Sequence, residues 1–472
     1  MSVRWAVPSS SKPRGRSCLW VRGCVELVVL FAAFAWISGC GFFPRSKPNV
    51  LFLLIDSLRS DHLGFSGYHR PTSACLDSLA SAGAAFPWCI AQAPYTMTSV
   101  PSLLTGRYPS GAFRWTTMKM PDDTKPAKAV VLGDGIASIP SLLRPYGYMA
   151  AAFVANPIVA KNLLGLAEAF DHFDGSLDHC WSKICAEQLN RLVLAWLGTG
   201  ANEPWFCFVH YMDVHDPYDP PLKYASRFIP TNADFPVISR PWIKMRQRQG
   251  GLTRTELAHV VGMYDAEIAY LDEQICTLLN ELKELGLSDN LLVVIASDHG
   301  DEFMDHGAMG HGHTLYDELI RCPAVFSWNG HIPRGVVVDE YVENIDIAAS
   351  ILDLLKVDVP PGLHGSSLVP LFTRTAPPRP AFSEMKGVAI RRGTWKLWLR
   401  PGGIKSLFDL SADPFERKNL ARQDPQVLSE LEAELRDWQE NLVKPPFPSP
   451  LPQEAALDSV TVEMLRSLGY IE

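Results

Sequence analysis

No sign of charge dominates this chain: 43 Lys and Arg stand against 51 Asp and Glu over 472 residues, for a formal net charge of −8. Long basic and long acidic runs are both absent. A nucleic-acid partner is excluded on that ground, since displacing counterions from phosphates needs a basic face. Internal repeats and low-complexity tracts are also lacking. With 47% hydrophobic residues, the chain can bury a large core instead of remaining disordered. Cysteine is scarce. Of the ten, Cys18, Cys24 and Cys40 fall in the first forty residues; Cys75, Cys89, Cys180, Cys185, Cys207, Cys276 and Cys322 remain, an odd set that cannot pair completely. Cys180 and Cys185 are close enough for a local disulfide, whereas Cys89 and Cys207 lie in apolar runs and read as small buried hydrophobes. None has metal-site spacing with a partner.

Residues 1–40 are a different kind of sequence. Arg4, Lys12, Arg14, Arg16 and Arg22 precede an apolar stretch from Val25 to Ile37 that ends in Ile37-Ser38-Gly39-Cys40. This pattern reads as a secretory signal closed by a lipoprotein-type cleavage box, with Cys40 as the lipidated residue. The alternative is an uncleaved membrane helix over Val25–Phe43. Either way the chain is expected to be exported and held to a membrane, in a bacterial periplasm or cell envelope.

Beyond this segment, Asn49–Asp56 (NVLFLLID) is almost continuously apolar and ends in an acid, the mark of a parallel strand buried on both faces. Similar runs occur at Met149–Ala155, Trp205–Tyr211 and Leu291–Ser297, separated by helical patterns at Thr72–Ala82, Trp181–Leu197 and Glu256–Leu285. Strand alternating with helix predicts an α/β fold, with a mostly parallel central sheet flanked by helices, over residues 48–375. Residues 376–472 change character. Short antiparallel strands within Gly387–Leu399 and Ser406–Leu410 and a helix over Pro425–Leu442 predict a small C-terminal α+β subdomain with a proline-rich tail. Gly111–Asp134 and Pro220–Gly251 read as loops that shape a pocket.

Ligands of such sheets bind beyond the carboxyl ends of the strands, and four polar stretches fall there. Asp56-Ser57-Leu58-Arg59-Ser60-Asp61-His62 follows the first strand, where a carboxylate can ligate a metal. Thr96-Met97-Thr98-Ser99 enters a short helix that closes at Gly106, and a hydroxyl at such an entry meets backbone N–H groups that favour an anion. Thr96, Thr98 or Ser99 acting only as a helix cap is the plainer reading. Asp298-His299-Gly300-Asp301-Glu302 follows the strand at Leu291–Ser297 and leads to His306, His311 and His313. Asp298 and His299 offer an oxygen and a nitrogen at the same sheet edge as Asp56, as metal sites assembled from remote segments do. Last, His210-Tyr211-Met212-Asp213-Val214-His215-Asp216-Pro217 ends another strand, where His215 suits a general acid or an anion-binding imidazole.

Taken together, NVLFLLIDSLRSDHLG, TMTSVPSLLTGRYP, ASDHGDEF with HGHTLYDELIRCP, and FDLSADPFERKNLA resemble the sulfatase family of the alkaline phosphatase superfamily, in unbroken order from Pro48 to Leu442. The resemblance implies a metal-dependent hydrolase in which a hydroxyl attacks sulfur or phosphorus. It places Asp56, Asp298 and His299 as metal ligands together with Thr96, puts Thr96 at the nucleophile position, and gives His215 and His311 to anion binding or leaving-group protonation. The chain also departs from the pattern. Thr96-Met97-Thr98-Ser99-Val100 stands where typical sulfatases carry C-x-P-S-R, so formylglycine cannot form at Thr96. Ser57 replaces a second acid, His299 replaces an asparagine, and Arg114 is the stand-in for a missing positive charge. A site with one nitrogen and a few oxygens favours a single Zn²⁺ or Mn²⁺, with Ca²⁺ or Mg²⁺ as alternatives.

The expected activity is hydrolysis of sulfate esters through a covalent intermediate on Thr96, with Ser99 as the substitute nucleophile. The expected substrate is a small molecule or a glycan or lipid ester. A phosphodiesterase or phospho-group transferase of the same superfamily, acting on lipid head groups or glycans, is the enzymatic alternative. An inactive anion- or glycan-binding homologue is the other.

Overall fold

In chain order the strands are β1 (Asn49–Ile55), β2 (Ala84–Ile90), β3 (Phe113–Met118), β4 (Ala127–Leu132), β5 (Met149–Val154), β6 (His172–Asp174), β7 (Trp205–Tyr211), β8 (Leu291–Ser297), β9 (Glu302–Phe303), β10 (Met309–Gly310), β11 (Arg321–Ser327), β12 (Val336–Val337), β13 (Val342–Glu343), β14 (Ala381–Glu384), β15 (Val388–Arg392), β16 (Trp395–Arg400) and β17 (Ile404–Asp409). The computed structural model describes residues 1, 47–118, 127–133, 135–177, 185–201, 203–229, 237–373, 379–446 and 462. The expected export segment with Cys40, and Cys180 of the expected disulfide, lie outside these residues. Among the described residues no helix is long and apolar enough to cross a membrane.

β1, β7 and β8 are buried at every position, which is why their sequences run apolar without alternation. The central sheet orders as β12-β2-β11-β8-β1-β7-β5-β6, with β13 also on β2. β1 pairs in parallel with β8 on one side and β7 on the other, β5 continues the parallel set, and β11 alone runs antiparallel to its neighbours. Phe52 of β1 meets Phe206 and Phe208 of β7 edge to face at 6.5 and 5.5 Å between ring centroids. Each such buried side chain contributes on the order of 1.5–3 kcal/mol.

Two regions read as loops are structured. Phe113–Met118 and Ala127–Leu132 pair as an antiparallel hairpin, consistent with the β-branched and aromatic residues in FRWTTM. Within 220–251, Leu222–Phe228 and Arg240–Arg248 are helices, the second with a proline at its first turn, where no N–H is needed. Sequence patterning also misses β2 and β11. Pro87 and Pro323 interrupt them, and the β2–β11 register shifts there, the place where a sheet tolerates proline.

β14–β17 form an antiparallel four-stranded sheet, covered by the helix Pro425–Asn441 through Leu431 and Leu435. Trp438 of that helix stacks on Phe382 with centroids 4.4 Å apart. Backbone and side-chain bonds join this sheet to the segment after β2: Glu384 N donates to Gln92 O at 2.8 Å and Ser383 Oγ to Ala91 O at 2.6 Å.

Candidate active site

The placement of β1 between β7 and β8 brings three remote segments to one edge. Asp56 follows β1, His210 is the penultimate residue of β7, opposite Leu54, and Asp298 follows β8. The helix Thr96–Thr105 begins directly after the extended Tyr95 and ends where Gly106, at φ 63°, supplies the left-handed turn. Its first residue points into the same edge: Thr96 Oγ1 lies 3.1 Å from His299 Nε2. Thr96, Asp56, Asp298 and His299 are all fully buried.

Around His299 the donors and acceptors define a tautomer. Its Nδ1 faces the Gly300 carbonyl at 2.9 Å, so the ring hydrogen sits there and the Nε2 lone pair faces Thr96, Asp56 Oδ1 at 3.7 Å and Asp298 Oδ2 at 3.4 Å. Ligand atoms of Asp56, Asp298 and His299 all lie within 4.8 Å of one another. Asp298 Oδ2 is buried with no hydrogen-bond donor among the described residues. Burial and the adjacent Asp56 carboxylate push Asp298 up to about 8. Burial pushes Asp56 up as well, but the contact with His210 and the charges of His215 and His299 outweigh it and hold Asp56 well below the usual carboxylate range. Burial lowers His299. Two buried carboxylates and a neutral imidazole lone pair converging on one point are what a divalent cation requires.

The loop after β1 is clasped from both sides. Ser57, at φ 60°, donates its N–H to Asp298 Oδ1 at 3.2 Å and its hydroxyl to Asp56 Oδ1 at 3.1 Å. Tyr264 of the long helix Arg254–Glu284 donates to Ser57 O and accepts from Arg59 N, both at 2.8 Å. A left-handed non-glycine residue persists only where surrounding bonds over-determine it.

The remaining expected residues separate into two groups. His215 and His311 are in the site, with ring centroids 4.9 Å apart, and His311 lies 4.3 Å from His299. His306 and His313 are not. His306 stacks on Tyr316 and pairs with Glu318 at 2.7 Å, and His313 pairs with Glu302 at 2.8 Å. Asp213 also faces away from the site: its Oδ1 accepts from Cys185 N and Ala186 N at 2.7 and 2.9 Å, at the start of the helix Ala186–Gly198. Asp216 takes its place beside His215 and His311, and these three form a second group able to hold a metal. Ser99, the expected substitute nucleophile, donates to Asp298 O at 2.5 Å and so braces the loop from behind. Arg114 lies on the β3–β4 hairpin, and Arg240 is bonded to Asp216 and His311.

Sequence reasoning misses Asn156, which donates to Asp56 Oδ2 at 2.8 Å. The signal was available, since Asn156 is the polar residue just after the strand read at Met149–Ala155. His210 Nε2, 3.3 Å from Asp56 Oδ2, sits inside a quoted stretch without a role.

Comparison with known proteins makes the chain a hydrolase of the alkaline phosphatase superfamily, a class acting on sulfate or phosphate esters. The sulfatase family model matches residues 48–357, and a second model, N-sulphoglucosamine sulphohydrolase C-terminal, matches 305–441. The chain belongs to the sulfatase family. It is similar to the ulvan-active sulfatase of Formosa agariphila, with 24% identity over 79% of this chain and 77% of that one. Several other relatives are matched over less than half of their own length. Among solved structures, a protein in complex with its substrate D-glucosamine-2-N,6-O-disulfate superposes with a TM-score of 0.65 at 19% identity, covering 84% and 99% of the two chains. The phosphonate monoester hydrolase of Agrobacterium radiobacter superposes at 0.67 and 20% identity, covering 83% and 95%.

Proposed function

We propose that this chain hydrolyses sulfate esters, with Thr96 as nucleophile and a metal site formed by Asp56, Asp298, His299 and Thr96. The observation that carries the reading is the 3.1 Å approach of Thr96 Oγ1 to His299 Nε2, at the start of a helix and between two buried carboxylates. A divalent cation there, Zn²⁺ or Mn²⁺ by its mixed nitrogen and oxygen donors, would acidify the threonine hydroxyl and offset charge on the transferring group.

The protein's own groups do the rest. The positive end of the helix Thr96–Thr105 favours an incoming anion. Thr96 Oγ1, its proton given up to solvent, forms a bond to sulfur as the ester S–O bond breaks. The departing oxygen takes a proton from His215, whose Nδ1 is oriented by the Asp216 carbonyl at 2.6 Å. Water then attacks the same sulfur and returns a proton to His215 as the Thr96 S–O bond breaks, and the Thr96 oxygen regains from solvent the proton it gave up. A sugar sulfate is the substrate class that the ulvan-active relative and the disulfated glucosamine complex support. The basic, then apolar, then Ser-Gly-Cys order of residues 1–40 supports export and tethering through Cys40, testable by loss of membrane association in Cys40→Ala.

The deciding experiment compares an aryl sulfate, a phosphate monoester and a phosphodiester, each with and without chelator. The sulfate ester should turn over fastest and chelation should abolish the rate. Metal analysis should find one divalent ion per chain, lost when Asp298 and His299 are both changed to Ala. A faster phosphodiester rate, or full activity in metal-free protein, refutes the proposal.

A further inference from the structure

Arg240 opens the helix Arg240–Arg248 at the edge of the site. Its Nε donates to both carboxylate oxygens of Asp216, at 3.0 and 3.1 Å, and its Nη2 donates to His311 Nε2 at 3.1 Å. The Arg240 side chain is 17% exposed, against 3% for Asp216 and 1% for His311. The guanidinium is therefore gripped by the protein on a side chain that keeps some contact with solvent.

Those bonds decide what His311 can do. Its Nε2 accepts from Arg240, so the ring hydrogen is on Nδ1 and is given to Asp301 Oδ1 at 2.9 Å. With both nitrogens committed, His311 has no proton to give a leaving group while it holds the arginine. The same contacts occupy two of the three members of the His215, Asp216 and His311 group. The guanidinium thus takes the cation's part in that cluster.

The local charge demands such a group. Asp56, Asp216, Asp298 and Asp301 are all buried here, so beyond the proposed cation an arriving sulfate ester meets a site rich in acids. Arg59, beside the same loop, is spent on Asp61 and Asp305, both at 2.9 Å. Arg240 connects to the nucleophile through His311, then His299, then Thr96.

Building on the sulfatase reading above, we propose that Arg240 is the anion-holding, specificity-determining residue of this site. Its guanidinium binds a non-bridging oxygen of a singly charged sulfate ester, and Asp216 and His311 are positioning residues that aim it. A planar guanidinium fork suits a tetrahedral oxyanion, and one fixed positive charge matches a monoanion better than the dianion of a phosphate monoester.

The test is inorganic sulfate binding by calorimetry, with KM and kcat for an aryl sulfate, in the full chain and its R240Q and R240K variants. R240Q should weaken sulfate binding and raise KM by about tenfold or more, as loss of a charged hydrogen bond predicts, with a smaller fall in kcat. R240K, which keeps the charge but not the fork, should fall between the two. Sulfate affinity in R240Q within twofold of the parent chain overturns the proposal, as does a loss confined to kcat. The same binding measurement in Thr96→Ala separates the two readings. Full turnover in that variant would defeat the threonine mechanism, and the sulfate affinities would still judge Arg240.

Discussion

Asn156 Nδ2 donates to Asp56 Oδ2 at 2.8 Å, joining the loops after β5 and β1 across 100 residues of chain. The same side chain accepts from Ile158 N at 3.0 Å, capping the short helix Pro157–Ala160. Asn156 therefore orients a proposed metal carboxylate without itself reaching the cluster. Asn156→Asp keeps the cap but sets a like charge against Asp56. Metal affinity should fall about 10–100-fold, as for other groups that orient ligands, with little change in melting temperature. Metal titration followed by thermal unfolding measures both. An unchanged affinity would make Asn156 a helix cap and nothing more.

Thr96→Ala should leave the fold intact, because Tyr95 and not Thr96 occupies the cap position. Sulfate-ester turnover should drop about 10³-fold or more, the scale of losing a nucleophile. Thr96→Ser should retain measurable rate. Ser99 cannot take over without releasing the Asp298 carbonyl it holds at 2.5 Å. Ser99→Ala should accordingly lower stability by about 1–3 kcal/mol, the cost of a buried acceptor left without its donor, and spare more activity than Thr96→Ala does. Equal losses in the two variants would contradict this division of labour.

How much of this was legible before the structure varies with the residue. β1, β7 and β8 were readable to within a residue because strands buried on both faces have no polar positions to obscure them. β2 and β11 were not, because Pro87 and Pro323 look like breaks until their shared register shift is seen. Asp56, Asp298 and His299 were legible by position, since polar residues at strand ends face the ligand side of such sheets; Thr96 was singled out by the family resemblance, because its place at a helix start also fits a plain cap. Asp216 and Asp213 stand three residues apart, and which one joins the histidines depends on where the helix at Ala186 needs its N–H groups satisfied. Arg240 carried no signal: its meaning lies in Asp216, 24 residues earlier, and His311, 71 residues later.

The small C-terminal sheet is anchored by a buried charge. Lys396 Nζ lies 2.7 Å from Asp317 Oδ1 and 2.8 Å from Glu416 Oε1, with the lysine and Glu416 each 1% exposed. Arg391 reaches the other Asp317 oxygen at 2.8 Å. Removing one partner from such a group strands the rest in a low-dielectric setting. Lys396→Met should cost about 3–5 kcal/mol in urea unfolding. A double replacement of Lys396 and Glu416 by apolar residues should cost less than the single change, because Asp317 keeps Arg391 as its partner. A single variant as stable as the parent chain would show that the pair is solvated in solution.

Glu343 gives a pH dependence of opposite sign to that of a salt-bridged acid. It accepts from Tyr108 Oη at 2.9 and 3.0 Å and from Phe382 N at 2.9 Å. Burial and the neighbouring Asp346 charge nevertheless push it up to about 8 from its usual 4.5. The folded chain thus binds this proton more tightly than the unfolded one. The resulting stabilisation is complete below about pH 4.5 and is lost as pH rises to about 8, at no more than about 1.4 kcal/mol per pH unit. Glu343→Gln removes the titration while keeping an acceptor for Tyr108. The fall in melting temperature between pH 6 and pH 8.5 should therefore be smaller in the variant than in the parent. An equal fall in both would mean that Glu343 is ionised throughout, with Arg379, 2.8 Å from Asp346, supplying enough positive charge for both acids.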